Sequence, residues 1–137
     1  MSATTVTNCT ARSNASHGIV AFSVANCTAL NNGTNGILVF TGSVTNSFAT
    51  SNGTNGISSL IGSSITNCAA SSNKDSGIVA DTGSVTNSTA YQNGSDGIYA
   101  PSGVVAFCRA STNNRSNNGS VDIDATSATR TANNPTP

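Results

Sequence analysis

Charges and aromatic rings are scarce in this sequence of 137 residues, and glutamate is missing. Only 7% of the residues are charged, with five Lys or Arg against five Asp, and aromatic residues make up 4% with no Trp. Nucleic-acid-binding proteins need a basic surface or aromatic side chains on which bases stack. We therefore expect no nucleic-acid partner.

Long hydrophobic runs are missing as well. An apolar run such as residues 36–40 is far too short to span a membrane. The first five residues show no basic region leading into an apolar core, so no signal peptide is visible. We expect no membrane-spanning segment.

What the sequence has is a repeat of 18 to 21 residues, marked by a Gly-Ile pair at residues 18–19, 36–37, 56–57, 77–78 and 97–98. Between these pairs three further positions recur at constant spacing: two hold Asn, and one holds Cys or Ser. The Asn8 column contains Asn8, Asn26, Asn46, Asn67 and Asn87; the Cys/Ser column contains Cys9, Cys27, Ser47, Cys68, Ser88 and Cys108; the Asn14 column contains Asn14, Asn32, Asn52, Asn73, Asn93 and Asn113.

This repeat predicts an all-β protein. The period is too short for paired-helix repeats, and β-branched residues, Asn and Gly disfavour helix. We read three short strands per coil, for example Ile19–Ala21, Val24 with its neighbours, and Cys27–Ala29, with alternate side chains pointing inward. The prediction is a right-handed parallel β-helix solenoid of about six coils over residues 1–124, followed by an extended polar C-terminal tail over residues 125–137.

The two asparagine columns are expected at two bends of each coil. Stacked amides bond to one another along such a column, as they do in cross-β structures, so both columns are predicted to form ladders. The Asn-Gly pairs at residues 32–33, 52–53 and 93–94 are expected to supply left-handed backbone, and the Gly before each Ile to let the chain turn back into the sheet.

The pattern Val-Thr-Asn-Cys-x-Ala-x-x-Asn, followed by Gly-Ile, resembles the parallel β-helix repeats of the pectate-lyase-like superfamily. The resemblance covers roughly residues 4–124. That superfamily includes polysaccharide lyases, alginate epimerases, phage tailspikes and bacterial surface proteins, so the resemblance implies the fold and leaves the function open. The sequence leaves the location open, and an extracellular or virion-surface location is favoured.

The cysteines exchange with serine at one repeat position, which marks a small inward-facing side chain. Adjacent coils stack about 4.8 Å apart, so Cys68 and Cys108, two coils apart, lie beyond disulfide reach. Free buried thiols are the main expectation. A Cys9–Cys27 disulfide stays open, and a metal site is disfavoured because no His lies in register.

Candidates for catalysis are few. Asp75 and Asp96 occupy turns of neighbouring coils, with Lys74 close by, and are the candidate pair for lyase or hydrolase chemistry. Their simpler interpretation, which we prefer, is that they are solvated turn residues. His17 is expected to be structural, and Asp122 and Asp124 to face outward and protect a terminal strand edge. No catalytic residue, metal or cofactor is predicted.

One outward-facing stripe is apolar and is the candidate interface. Such stripes often mark interfaces. The alternative is that Phe22, Phe40 and Leu60 fold over a corner and complete the core. The candidate interface residues are Val20, Phe22, Leu38, Phe40, Val79, Tyr99, Val121 and Ile123.

The function predicted from these features is non-enzymatic: a structural β-helix subunit that self-associates end to end into a fibre or surface assembly. A solenoid without caps exposes its terminal coils, and head-to-tail stacking follows when the contact does not close. The alternative is a carbohydrate-binding, adhesin or tailspike-like module with a polysaccharide partner. Ice binding through a Thr face of Thr7, Thr45, Thr66 and Thr86, and polysaccharide lyase activity, rank below these.

Overall fold

The chain folds as a parallel β-solenoid. The computed structural model describes residues 5–114, 119, 121–125 and 129–131, and within these residues it contains strands and no helix. Three strands per coil repeat over about five turns of about 20 residues, slightly fewer than the six coils expected. The sixth coil includes residues 115–118 and 120, which lie outside the described residues.

The strands form three parallel sheets that run along the solenoid. Sheet A contains β1 (Thr5–Thr7), β4 (Ser23–Ala25), β7 (Ser43–Thr45), β10 (Ser64–Thr66), β13 (Ser84–Thr86), β16 (Val104–Ala106) and β19 (Thr129–Thr131). Sheet B contains β2 (Thr10–Arg12), β5 (Thr28–Leu30), β8 (Phe48–Thr50), β11 (Ala69–Ser71), β14 (Thr89–Tyr91) and β17 (Arg109–Ser111). Sheet C contains β3 (Ile19–Ala21), β6 (Ile37–Val39), β9 (Ile57–Ser59), β12 (Ile78–Ala80), β15 (Ile98–Tyr99) and β18 (Ile123–Asp124).

Several core positions are columns of one residue type or of two similar types. Ile19 pairs with Ile37, and the isoleucine of every later coil continues this column to Ile123. Val or Ile forms the equivalent column of sheet A and Ala that of sheet B. Ile37 and Val44 are completely buried. Each fully buried side chain of this kind stabilises the fold by about 2 kcal/mol, so the repeated apolar positions supply the core.

Two local predictions need correction. Strand β5 is Thr28–Leu30, not Cys27–Ala29, because the N–H of Cys27 donates to the Oγ of Ser47 at 3.1 Å and so does not enter the ladder of the sheet. Left-handed backbone lies at residues 31, 51 and 92, each one residue before the Asn of an Asn-Gly pair. The glycine that follows is required for a different reason: a Cβ at Gly53 would overlap the carbonyl oxygen of Gly33 in the preceding coil.

The last strand lies inside the segment predicted to be a polar tail. β19 pairs in parallel with β16, and Ala125 is buried against the core. Residues 126–128 and 132–137 of that segment lie outside the described residues.

Candidate functional site

The Asn14 column forms a continuous hydrogen-bonded ladder. Both the backbone N–H and the side-chain Nδ2 of Asn32 donate to Oδ1 of Asn52 at 3.0 Å, and Nδ2 also donates to the carbonyl oxygen of Ala11 at 3.2 Å. The same pair of bonds joins every neighbouring pair from Asn14 to Asn113. The members from residue 32 to residue 93 are buried, so each amide satisfies polar groups that water cannot reach.

The glycine before each isoleucine makes room for this ladder. A Cβ at Gly36 would lie 2.5 Å from Nδ2 of Asn52 and 2.7 Å from the carbonyl oxygen of Gly56. The amide of the following coil therefore occupies the space where a side chain would begin. Close approach, rather than a need for positive φ, explains this glycine.

Asp122 ends the ladder. The backbone N–H and Nδ2 of Asn113 donate to Oδ1 of Asp122 at 3.0 Å and 2.7 Å, the same two bonds that an asparagine of a further coil would accept. Asp122 precedes Ile123, so in the register of sheet C it stands where Gly97 stands one coil earlier. The expectation that its carboxylate faces outward to protect a strand edge is wrong, because this carboxylate is bonded into the ladder. The sequence signal that we missed is an Asp in the glycine column.

The Asn8 column is different and is only partly a ladder. Its five asparagines have φ between 48° and 55°, and they form the bend between sheets A and B. Their side chains are exposed, and the amide bonds along the column are Asn46 to Asn26 and Asn67 to Asn46, each 3.3 Å. Asparagine is favoured here because it tolerates left-handed backbone.

The Cys/Ser column lies directly after this bend and supplies its buried hydrogen bonds. The N–H of Cys68 donates to Oγ of Ser88 at 3.1 Å, and the Sγ of Cys68 donates to the carbonyl oxygen of Thr66 at 3.2 Å. A thiol and a hydroxyl both accept and donate, which explains why Cys and Ser alternate. The sequence had indicated only a small filler at this position.

All four thiols are free, so the disulfide that the sequence left open between Cys9 and Cys27 is not formed. Cys27, Cys68 and Cys108 are buried, as expected, whereas Cys9 in the first coil is exposed. Burial raises the pKa of the Cys68 thiol from 9.0 to about 11 and also raises the pKa of Cys108. Both side chains therefore stay protonated at neutral pH and are poor nucleophiles and poor metal ligands.

The apolar corner joins sheets C and A and contains Phe22, Phe40, Leu60 and Ile61. Phe22, Phe40 and Leu60 are 42%, 38% and 48% exposed, so they do not fold over the corner to complete the core. The rings of Phe22 and Phe40 lie 6.1 Å apart with a tilt of 53°. Ile61, which is 64% exposed, was not among the predicted interface residues.

The other predicted interface residues divide into three groups. Val20 and Val121 are exposed, and Leu38, Val79 and Tyr99 are half-buried on the outer face of sheet C or beside it. Ile123 is 5% exposed and belongs to the core, because its register continues the inward isoleucine column. It is therefore not part of an exposed interface.

Sheet A presents a face of hydroxyl groups without charge in its first five strands. Thr45, Thr66 and Thr86 follow one another in register, and Oγ1 of Thr66 lies 3.0 Å from Oγ1 of Thr86. Ala25 and Ala106 interrupt this column in the second and sixth strands. Ice binding through this face stays a prediction, which thermal hysteresis would test.

Comparisons with protein-family models, with curated proteins and with solved structures found no match to this chain.

The candidate catalytic residues lie on turns of neighbouring coils. Lys74 and Asp75 are exposed, and a carboxylate oxygen of Asp96 accepts the N–H of Val121 at 2.7 Å. His17 is half-buried, with Nδ1 2.9 Å from Oγ1 of Thr34. Among the described residues, no three His, Cys, Asp or Glu side chains cluster closely enough to hold a metal ion, and no helix there is long and apolar enough to cross a bilayer.

The described surface has three features that could take part in binding. It offers one apolar corner, one hydroxyl face and the edge strands at the two ends of the stack. The ladder of the Asn14 column connects these ends through five inner coil contacts. These are the surfaces on which a functional proposal can be built.

Proposed function

We propose that this chain is a non-enzymatic structural protein, a β-solenoid subunit that associates end to end into a fibre or surface assembly. The proposal is supported by the first coil, whose strand edges are unpaired on one side among the described residues and whose core positions are partly exposed. Its strands β1, β2 and β3 each pair on one side only within the described residues. Val6 and Ala11 are half-buried there and Cys9 is exposed, whereas the matching Val24, Ala29 and Cys27 are no more than 1% exposed.

A second copy of this chain is the partner that fits such an end. Edge strands with free N–H and C=O groups pair readily with another strand of the same geometry. Every inner contact between coils uses the same columns in the same parallel register, so the first coil is shaped to receive a coil of this repeat. A contact of this kind is heterologous and forms filaments when it does not close.

Electron microscopy and light scattering over a concentration series test the proposal. We expect particle mass to rise with concentration and filaments of one solenoid width to form. Ala11→Lys places a charge in the half-buried mouth of the first coil and should suppress this growth. Thr89→Lys, the same charge on the exposed face of sheet B, is the matched control and should assemble as the parent does.

Single chains of constant mass at every concentration would contradict the proposal. Equal suppression by A11K and T89K would also contradict it, because added charge alone would then explain the effect. Circular dichroism and thermal unfolding of both variants establish that each is folded before it is compared.

A carbohydrate-binding module is the second candidate, and one groove favours it. The groove has a volume of about 470 Å³ and runs across three coils beside the apolar corner. Its hydroxyl groups suit hydrogen bonds to a polysaccharide, and Ile61 offers an apolar edge for the C–H face of a sugar ring. The lining residues are Gly62, Thr82, Gly83, Ser84, Ser102, Gly103 and Val104.

A glycan array tests this candidate. Ser102→Leu, which fills the groove, should abolish any binding that the parent shows, whereas Thr89→Leu on the opposite sheet should retain it. Parent protein that binds no glycan on the array would contradict this candidate, as would binding that survives S102L.

A further inference from the structure

The ladder of the Asn14 column has a direction. Between neighbouring asparagines of this column, the backbone N–H and Nδ2 always donate to Oδ1 of the asparagine one coil closer to the C-terminus. Each Oδ1 in turn accepts these two bonds from the asparagine one coil closer to the N-terminus. Asn14, the first member, therefore presents Oδ1 at the N-terminal end, where no described residue donates to it. Oδ1 of Asn14 could therefore accept the backbone N–H and Nδ2 bonds of an asparagine in a preceding coil.

At the other end the matching donors are already used. The N–H and Nδ2 of Asn113 both donate to Oδ1 of Asp122. If a second copy stacked here, its Asn14 would need these same two donors. Asp122 thus fills, from within the chain, the position that the asparagine of an incoming coil would take.

The backbone position of Asp122 makes this filling effective. In the coil before it, Gly97 has no side chain, and a Cβ there would overlap Nδ2 of Asn113. Glycine therefore leaves the ladder position open for the asparagine of the next coil. Asp122 stands in the same register and carries a side chain, so the position is closed both by volume and by hydrogen bonding.

The edge strands around this position are otherwise suited to a second copy. β17 and β18 each pair on one side only within the described residues. β19 pairs with β16, so it holds the place beside β16 that an incoming β1 would take. Asp122 and β19 therefore hold two of the places that an incoming first coil would occupy.

We propose that Asp122 is an autoinhibitory cap that limits end-to-end association: its side chain takes the place of the incoming Asn14, and removing it frees this ladder position for a second copy of the chain. The inference rests on the proposed function, because it names what regulates the same end contact. It does not depend on the charge of Asp122, since an asparagine would fill the position as well.

Three variants of the full chain test the cap. Asp122→Gly restores the residue that the repeat has at this position. It should lower the concentration at which association begins by about tenfold or more, because the freed ladder contact then adds to the affinity between two copies. Asp122→Asn keeps the side-chain volume and the acceptor oxygen, so it should behave as the parent. Asn14→Ala in the D122G background removes the incoming acceptor and should cancel the gain.

Light scattering and electron microscopy of the four proteins separate the outcomes, with thermal unfolding to establish that each is folded. Association by D122N equal to that of D122G would overturn the cap, because charge alone would then govern the end. A parent that assembles as readily as D122G would overturn the cap and leave the proposed function standing. Assembly of D122G alone would support the cap while contradicting unaided assembly of the parent, and constant monomers throughout would contradict both proposals.

Discussion

The two asparagine columns place the same side chain at two bends of the solenoid, yet the molecule uses them for different purposes. At the Asn14 column the amide is buried and bonds to backbone and side chain of the neighbouring coils. At the Asn8 column the amide is exposed, and the residue is there because φ is positive. A conserved residue type along a repeat therefore does not by itself reveal whether the side chain or the backbone requires it.

The neighbouring residue explains how the second bend manages without a buried amide. Directly after the Asn8 column, Cys or Ser accepts the backbone N–H from the preceding coil, as Ser47 does for Cys27 and Ser88 for Cys68. At this bend the buried side chain that accepts the backbone N–H is therefore the residue after the asparagine, and it is a thiol or hydroxyl instead of an amide. Changing one member of each column tests whether the two bends differ in this way.

The largest effect is expected in the Asn14 column. Asn52→Ala leaves the buried N–H and Nδ2 of Asn32 without their acceptor and removes the Nδ2 donor to the carbonyl oxygen of Ala29. An unsatisfied buried polar group costs about 1–3 kcal/mol, so we expect the free energy of unfolding to fall by about 3 kcal/mol or more. Denaturant unfolding measures this loss.

Asn52→Gly is the matched variant and should not be more stable than N52A, because the loss comes from hydrogen bonds and not from backbone conformation. A loss below about 1 kcal/mol for N52A would mean that water or a shifted neighbour replaces the amide, and the role assigned to this ladder would be wrong.

A smaller effect of a different kind is expected at the same coil in the Asn8 column. Asn46 has φ of 48°, and its side chain makes two exposed bonds of 3.3 Å. Asn46→Ala should cost about 1–2 kcal/mol, because a non-glycine residue without a local polar group is strained in left-handed backbone. Asn46→Gly should recover most of this loss, since glycine adopts this conformation freely.

Rescue by glycine at residue 46 but not at residue 52 is the outcome that separates the two columns. If N46G were as unstable as N46A, the two exposed amide bonds of 3.3 Å would contribute more to stability than their length and exposure indicate. Denaturant unfolding of the four variants under one set of conditions gives the comparison directly.

The repeat allowed the inward columns to be predicted because alternation along a strand is a local property. Once Ile19 and Ala21 are assigned inward, the register of every later coil follows from the spacing. The isoleucine, valine and alanine columns lie where that argument placed them.

The features that sequence reasoning missed depend on contacts between coils. Cys27 is excluded from a strand because its N–H finds Oγ of Ser47, twenty residues away. Gly36 is needed because Asn52 of the next coil enters its space. Asp122 is bonded because Asn113 of its own coil has the two donors that, in earlier coils, the asparagine of the next coil accepts. None of these partners is adjacent in sequence, so each needs the stacked structure to be seen.

The smallest effect at neutral pH is expected in the Cys/Ser column. Cys68→Ser replaces a thiol by a hydroxyl. Ser47 and Ser88 already place a hydroxyl at this position in the two neighbouring coils and make the same hydrogen bonds there. We expect the free energy of unfolding to change by less than about 1 kcal/mol near pH 7, as for other nearly isosteric exchanges. The informative measurement lies at alkaline pH.

Burial raises the pKa of the Cys68 thiol from 9.0 to about 11, so the folded state holds it neutral over a range where the unfolded chain ionises it. A raised pKa in the folded state stabilises fully below pH 9, and that contribution is lost as the pH rises toward 11. Thermal unfolding of the parent should therefore lose stability across this window more steeply than that of C68S. Because the other titrating groups are common to both proteins, the difference isolates this thiol. If the stabilities of the parent and C68S instead change equally from pH 7 to pH 11, the buried site tolerates a thiolate. The Cys/Ser column would then not resemble the asparagine ladder in depending on a buried neutral hydrogen-bonding group.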